Sequence, residues 1–143
     1  MFQYGYYEGE WDKLPDFKTL KPVKTGLIDS SFNIDNFPRK NNFALLIEGH
    51  LEVKDDGYYI FALDSDDGSK LYLDNRLLID YDGLHGGGNN KSYIVPLQKG
   101  FYPFRLEYFQ KDGGRTLKLV YVTPAIGSPK PIAIPLQLQY SNN

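Results

Sequence analysis

Phe101-Tyr102-Pro103-Phe104-Arg105-Leu106-Glu107-Tyr108-Phe109 alternates apolar and charged residues from Phe104 to Tyr108. Tyr102, Phe104, Leu106 and Tyr108 fall on one face, with Arg105 and Glu107 on the other, as in a strand buried on one side. Leu117, Leu119 and Tyr121 repeat the pattern after the Gly113-Gly114 break. Working outward, strands are expected at Phe2–Tyr7, Phe43–Val53, Tyr58–Leu63 and Tyr93–Leu97, and, beyond a Pro-punctuated stretch, at Leu136–Gln139. Lys70–Leu73 and Leu77–Ile79 flank Asp74-Asn75-Arg76, a tight hairpin by composition. Trp11–Pro38, broken by Pro15, Pro22 and Gly26, reads as loop. No stretch sustains a helical period. Many short strands at this spacing predict an all-β, antiparallel sandwich or barrel.

The 143 residues suit one domain, 1–143, and the 12 Tyr and 9 Phe favour a pleated, half-buried surface. Tyr4, Tyr6 and Tyr7 are expected to pack an edge of a sheet. A formal net charge of -2 with scattered Lys and Arg argues against a nucleic-acid partner. Cysteine is absent, which excludes disulfides and thiolate metal sites. No apolar run approaches the roughly 18 residues of a membrane span, so no membrane insertion is expected. Strand-like sequence begins at Phe2 without a secretory signal before it. The chain thus reads as a piece of a larger exported protein, extracellular, periplasmic or at the cell surface.

Catalytic signatures are missing. His50 and His85 are the only histidines, too few for the usual zinc frameworks. There is no Gly-x-Ser-x-Gly elbow, and Gly86-Gly87-Gly88 lacks the following helix of a phosphate loop. A small two-sheet domain seldom builds a deep cleft from its own loops, so no intrinsic enzyme activity is expected.

Between Asp64 and Asp82 six acids face only Lys70 and Arg76, a net of -4. Adjacent Asp66 and Asp67 repel unless solvated or compensated by a cation. On a strand they would point to opposite faces. Aiming both at one ion requires a break in β geometry, which Gly68 permits. If the chain reverses at Asp74–Arg76, Asp80-Tyr81-Asp82-Gly83-Leu84-His85-Gly86 returns beside Asp66–Ser69. Two readings stand on chemistry alone: a calcium site, or turn-forming, solvated acids on an edge hairpin. Tyr81, Asp82 and His85 are ligand-contact candidates, with loop packing as the alternative. Trp11 is either core or a sugar platform.

Gly57–Asp74, Asp80–Gly86, Lys99–Phe109, Gly113-Gly114 and Leu117-Lys118-Leu119, with Tyr6-Tyr7-Glu8-Gly9 and Trp11 before them, resemble in order the protective-antigen fourteen (PA-fourteen) domain. The resemblance covers nearly the whole chain. It implies a jelly-roll-like antiparallel β-sandwich that binds glycan or oligosaccharide without catalysis. It also implies attachment to a catalytic domain in the same chain, as in bacterial glycoside hydrolases, with a structural accessory or adhesin role as the alternative. In the flocculin branch two aspartates joined by a cis peptide hold calcium against sugar hydroxyls, and Asp66 and Asp67 match that pair. A later loop completes that site with an Asn side chain and backbone carbonyls. The matching loop here is Gln110-Lys111-Asp112-Gly113-Gly114, which makes Gln110, Asp112 and Gly114 the remaining metal candidates, with Gln110 in place of the Asn. The Asp82-Gly83-Leu84-His85-Gly86 run resembles instead the branch attached to bacterial hydrolases.

Overall fold

A computed structural model describes residues 2–29, 31–123 and 132–133. Its strands are β1 (Phe2–Glu8), β2 (Lys24–Ile28), β3 (Phe43–Val53), β4 (Gly57–Asp66), β5 (Ser69–Leu73), β6 (Arg76–Tyr81), β7 (Lys91–Leu97), β8 (Gly100–Gln110), β9 (Thr116–Val122) and β10 (Ile132–Ala133). They form two antiparallel sheets, one ordered β2-β1-β3-β8-β5-β6 and the other β10-β9-β4-β7. The architecture is an all-β sandwich. The expected strand at Leu136–Gln139 lies outside the described residues. Among the described residues no helix is long and apolar enough to cross a membrane.

The deciding stretch lies in β8, which pairs with β3 from Phe43↔Gln110 to Val53↔Gly100. Phe104, Leu106 and Tyr108 point inward and are almost wholly buried, with Tyr102 packed against them. They meet Phe61, Leu63, Leu117 and Leu119 of the second sheet in one core. Phe2 anchors its far end, with ring centroids 5.0 Å from Phe32 and 4.9 Å from Phe104. Such tilted aromatic pairs contribute about 0.5–1.5 kcal/mol beyond burial.

Asp74 and Asn75 form the hairpin turn at φ 55° and 62°. Both tolerate the left-handed region, and the two-residue turn matches strand twist. It sets the pairs Lys70↔Asp80 and Ser69↔Tyr81, so Tyr81 does return beside the acids.

The Trp11–Pro38 segment is not all loop. β2 forms within it and pairs with β1 through Tyr4↔Gly26. A Cβ on Gly26 would stand 2.9 Å from the Tyr4 ring, so the glycine that read as a breaker makes room for the tyrosine. Short 3-10 turns at Phe17–Thr19 and Ile34–Asn36, capped by Asp16 and Asn33, bury Phe17 and Ile34. Because β2 takes the edge, β1 is internal. Tyr4, Tyr6 and Tyr7 are therefore buried instead of rimming an edge, and burial with a hydrogen bond to Glu8 pushes the Tyr6 phenol up to about 12.

Candidate functional site

β4 belongs to the four-stranded sheet and β5 to the six-stranded one, so Asp66-Asp67-Gly68 is where the chain crosses between them. The Asp66–Asp67 peptide is cis, as the flocculin likeness implied. The end of β8 holds this corner. Tyr108 donates its hydroxyl to the Asp66 carbonyl, and the Phe109 N–H donates to the Gly68 carbonyl at 3.0 Å. The Ser65 and Ser69 hydroxyls meet across the corner at 2.6 Å in a fully buried bond. A Cβ on Gly68 would come within 2.5 Å of the Phe109 ring, 2.7 Å of the Gly83 nitrogen and 2.9 Å of Asp82 Oδ1. Only glycine fits there.

Two loops converge on the paired carboxylates. The Lys111 N–H donates to Asp67 Oδ2 at 2.9 Å, so the β8–β9 loop is bound to the buried Asp67. A Cβ on Gly114 would lie 3.1 Å from Asp66 Oδ2, which places that glycine against the first carboxylate. The Gly88 N–H bonds both oxygens of Asp64 at 3.0 and 3.1 Å, which pins the glycine loop. Burial first, and then Asp67, pushes the Asp66 carboxyl above the usual aspartate range, opposed by His85 and the Gly87 N–H. The pair is thus in electrostatic tension, which a cation would relieve.

Beside it, the Tyr81 and His85 rings stack with centroids 3.9 Å apart at 12°. His85 Nε2 lies 2.8 Å from the Tyr81 carbonyl oxygen, and the Lys91 ammonium stands 5.1 Å over the Tyr81 ring. Asp82 is committed locally: its Oδ1 accepts the N–H groups of Leu14 and Gly83, each at 2.8 Å. Trp11 packs with the small cluster of Tyr7, Phe17, Ala44 and Phe109, and its ring covers the space above Gly9. Asp112 is exposed.

Gln110 is fully buried. Its Nε2 donates to the Gly113 carbonyl at 3.3 Å and to Asn41 Oδ1 at 3.4 Å, while Oε1 is buried without a partner. Among the described residues no three His, Cys, Asp or Glu side chains gather as a metal cluster. Calcium takes about six to eight oxygens, however, and amide and carbonyl oxygens serve as well as carboxylates. Two adjacent carboxylates and an orphaned amide oxygen one residue from the Asp67 tether are donors of the kind such an ion takes.

The sequence reading overlooked Asp64, Tyr108 and the Lys111 N–H. Asp64 looked like one more solvated acid, and Tyr108 like plain core. The glycine run was the available signal: a loop of small residues beside an acidic corner can offer bare N–H groups to carboxylates.

The PA14 domain family profile matches residues 4–134. No curated protein sequence matches this chain. An anti-sigma factor domain-containing protein from Clostridium clariflavum superposes with TM-score 0.76 at 21% identity, covering 99% of this chain and 47% of its own. This chain thus spans about half of that protein. The PA14 sugar-binding domain from an RTX adhesin gives TM-score 0.69 at 16% identity, covering 92% and 93%. The epithelial adhesin 9 A domain from Candida glabrata, solved with Galb1-4GlcNAc, gives 0.72 at 13%, covering 97% and 88%. At these identities the likeness is one of fold.

Proposed function

The chain belongs to the PA14 domain family, and on that premise we propose that it is a non-catalytic carbohydrate-binding module whose sugar site is the sheet-crossing corner. The observation that carries the reading is the joining of the Asp66–Asp67 pair, the Tyr81–His85 stack and two glycine-bearing loops at one end of the sandwich. A sugar offers pairs of hydroxyls and an apolar ring face, so charged acceptors beside an aromatic platform match both. The sugar-binding adhesin domain and the adhesin solved with a disaccharide share this fold, which supports the assignment.

In this reading Asp66, Asp67 and Gln110 hold calcium, with backbone oxygens of the Asp112–Gly114 turn. Calcium, when bound, supplies open coordination for vicinal hydroxyls. The protein's own groups orient and fence the sugar: the Tyr81–His85 stack presents a flat edge, and the Gly86–Gly88 loop lets a ring approach the backbone. Trp11 and Asp82 support the fold beside the site. The module acts outside the cell, and the Asp82–Gly86 run supports a place beside a hydrolase domain.

A second reading, contact with a neighbouring domain, is favoured by the outer face of the four-stranded sheet. There Tyr58 and Ile94 lie 70% and 59% exposed on adjacent strands. Titration calorimetry with oligosaccharides, in calcium and in chelator, tests the first reading. Calcium-dependent heats that Asp67→Ala abolishes are expected; no heat with any glycan would leave the domain-contact reading.

A further inference from the structure

A cavity of about 550 Å³ lies on the outer face of the six-stranded sheet. Its floor follows from register. Glu48 of β3 stands opposite Arg105 of β8, which faces Tyr72 of β5; one step along, Leu46 stands opposite Glu107, which faces Lys70. All six point outward, because their neighbours Ile47, Leu71 and Leu106 are in the core. The wall is the Leu14–Lys18 segment. It is fastened by the Leu14 N–H bond to Asp82 and by Phe17, buried on Tyr7.

The floor is ordered and polar. The Arg105 guanidinium lies 4.0 Å over the Tyr72 ring. Its Nε, a buried atom that makes no hydrogen bond, forms an ion pair with Glu107 Oε2 at 3.3 Å. A ligand oxygen that accepts from this Nε would complete its hydrogen bonding. Glu107 is itself buried, which pushes its carboxyl above the usual glutamate range against the pull of Arg105 and Lys70.

The charge pattern selects the ligand. An anion would meet Asp16, Glu48 and Glu107, and a cation would meet Lys18, Lys70 and Arg105. A neutral polyol, whose hydroxyls both donate and accept, matches all six. Leu14, Pro15, Phe17 and Leu46 offer the apolar contact that a sugar ring needs. We propose that this groove is a second ligand site, taking one or two residues of a neutral sugar, independent of calcium and of the corner. The cavity falls within the roughly 300–1,000 Å³ of small-molecule sites.

Amide spectra of labelled protein, titrated with glucose, galactose, N-acetylglucosamine and cellobiose in chelator and in calcium, test it. Saturable shifts are expected at Leu46–Glu48, Lys70–Tyr72 and Arg105–Glu107, unchanged by chelator. Glu48→Ala, an exposed position, should weaken them about tenfold, and Lys70→Met, a second variant on another strand, similarly. No saturable shift in the groove with any of the four sugars, or shifts indifferent to both variants, would overturn the proposal. Shifts confined to Tyr81–Gly88 would overturn it while upholding the corner; shifts confined to the groove would do the reverse.

Discussion

Replacing Gly68 by alanine adds one methyl where three groups already stand, the Phe109 ring at 2.5 Å, the Gly83 nitrogen at 2.7 Å and Asp82 Oδ1 at 2.9 Å. Phe109 is fully buried and cannot swing away freely. Overpacking such a site costs about 1–3 kcal/mol. Displacing the Gly83 N–H from Asp82 adds about 1 kcal/mol. Alanine restricts the unfolded chain and returns about 0.4–1 kcal/mol. The net loss is about 1–3.5 kcal/mol. For a chain of this size that lowers Tm by about 2–14 °C. Gly86→Ala is the control, since nothing lies within 4 Å of its Cβ position; it should raise Tm by about 1–3 °C. Thermal unfolding followed by circular dichroism reads both. A Gly68→Ala protein that melts at or above wild type would refute the close-packed corner.

Calcium should raise Tm by mass action, about 2.7 kcal/mol at a hundredfold excess over Kd, and Asp67→Ala should remove the rise; superimposable melts in calcium and chelator would count against the ion site. Burial keeps a proton on folded Glu107 above the ordinary glutamate value of 4.5, so the folded state binds more protons there and stability falls as pH rises through that window. Glu107→Gln should therefore change little below pH 4.5 and stabilise the protein at neutral pH, as denaturant titrations at the two pH values would show. Trp11→Ala should cost roughly 1–3 kcal/mol, less than a wholly buried aromatic, while glycan affinity measured by calorimetry stays at wild type. A loss of affinity without loss of stability would return Trp11 to the sugar site.

The alternation of Phe104, Leu106 and Tyr108 made β8 legible, because one buried face imposes a period of two on the residues themselves. The Asp74-Asn75 turn was legible for a similar reason: few residue pairs tolerate two positive φ values in succession. β2 was not legible. Its Lys24-Thr25-Gly26-Leu27-Ile28 is mostly exposed, and Gly26 is set by the Tyr4 ring across the ladder, a tertiary cause that leaves no local mark. The same gap hid the internal place of β1. Register brought Tyr81 beside Ser69, so the acidic corner was readable from hairpin length. The work of Asp82 was not, because its partner Leu14 is 68 residues away in sequence. The groove on Arg105 and Glu107 was invisible for the same reason: both read as solvent-facing until the Leu14–Lys18 segment is laid across them.

Binding of the wild-type chain and of Asp67→Ala to a glycan array, each in millimolar calcium and in chelator, decides whether the sheet-crossing corner is a calcium-dependent sugar site. Wild-type signal is expected on a restricted set of glycans in calcium, with that set lost both in chelator and in the variant. An array on which Asp67→Ala binds those glycans as well as wild type, or on which wild type binds nothing, would contradict it.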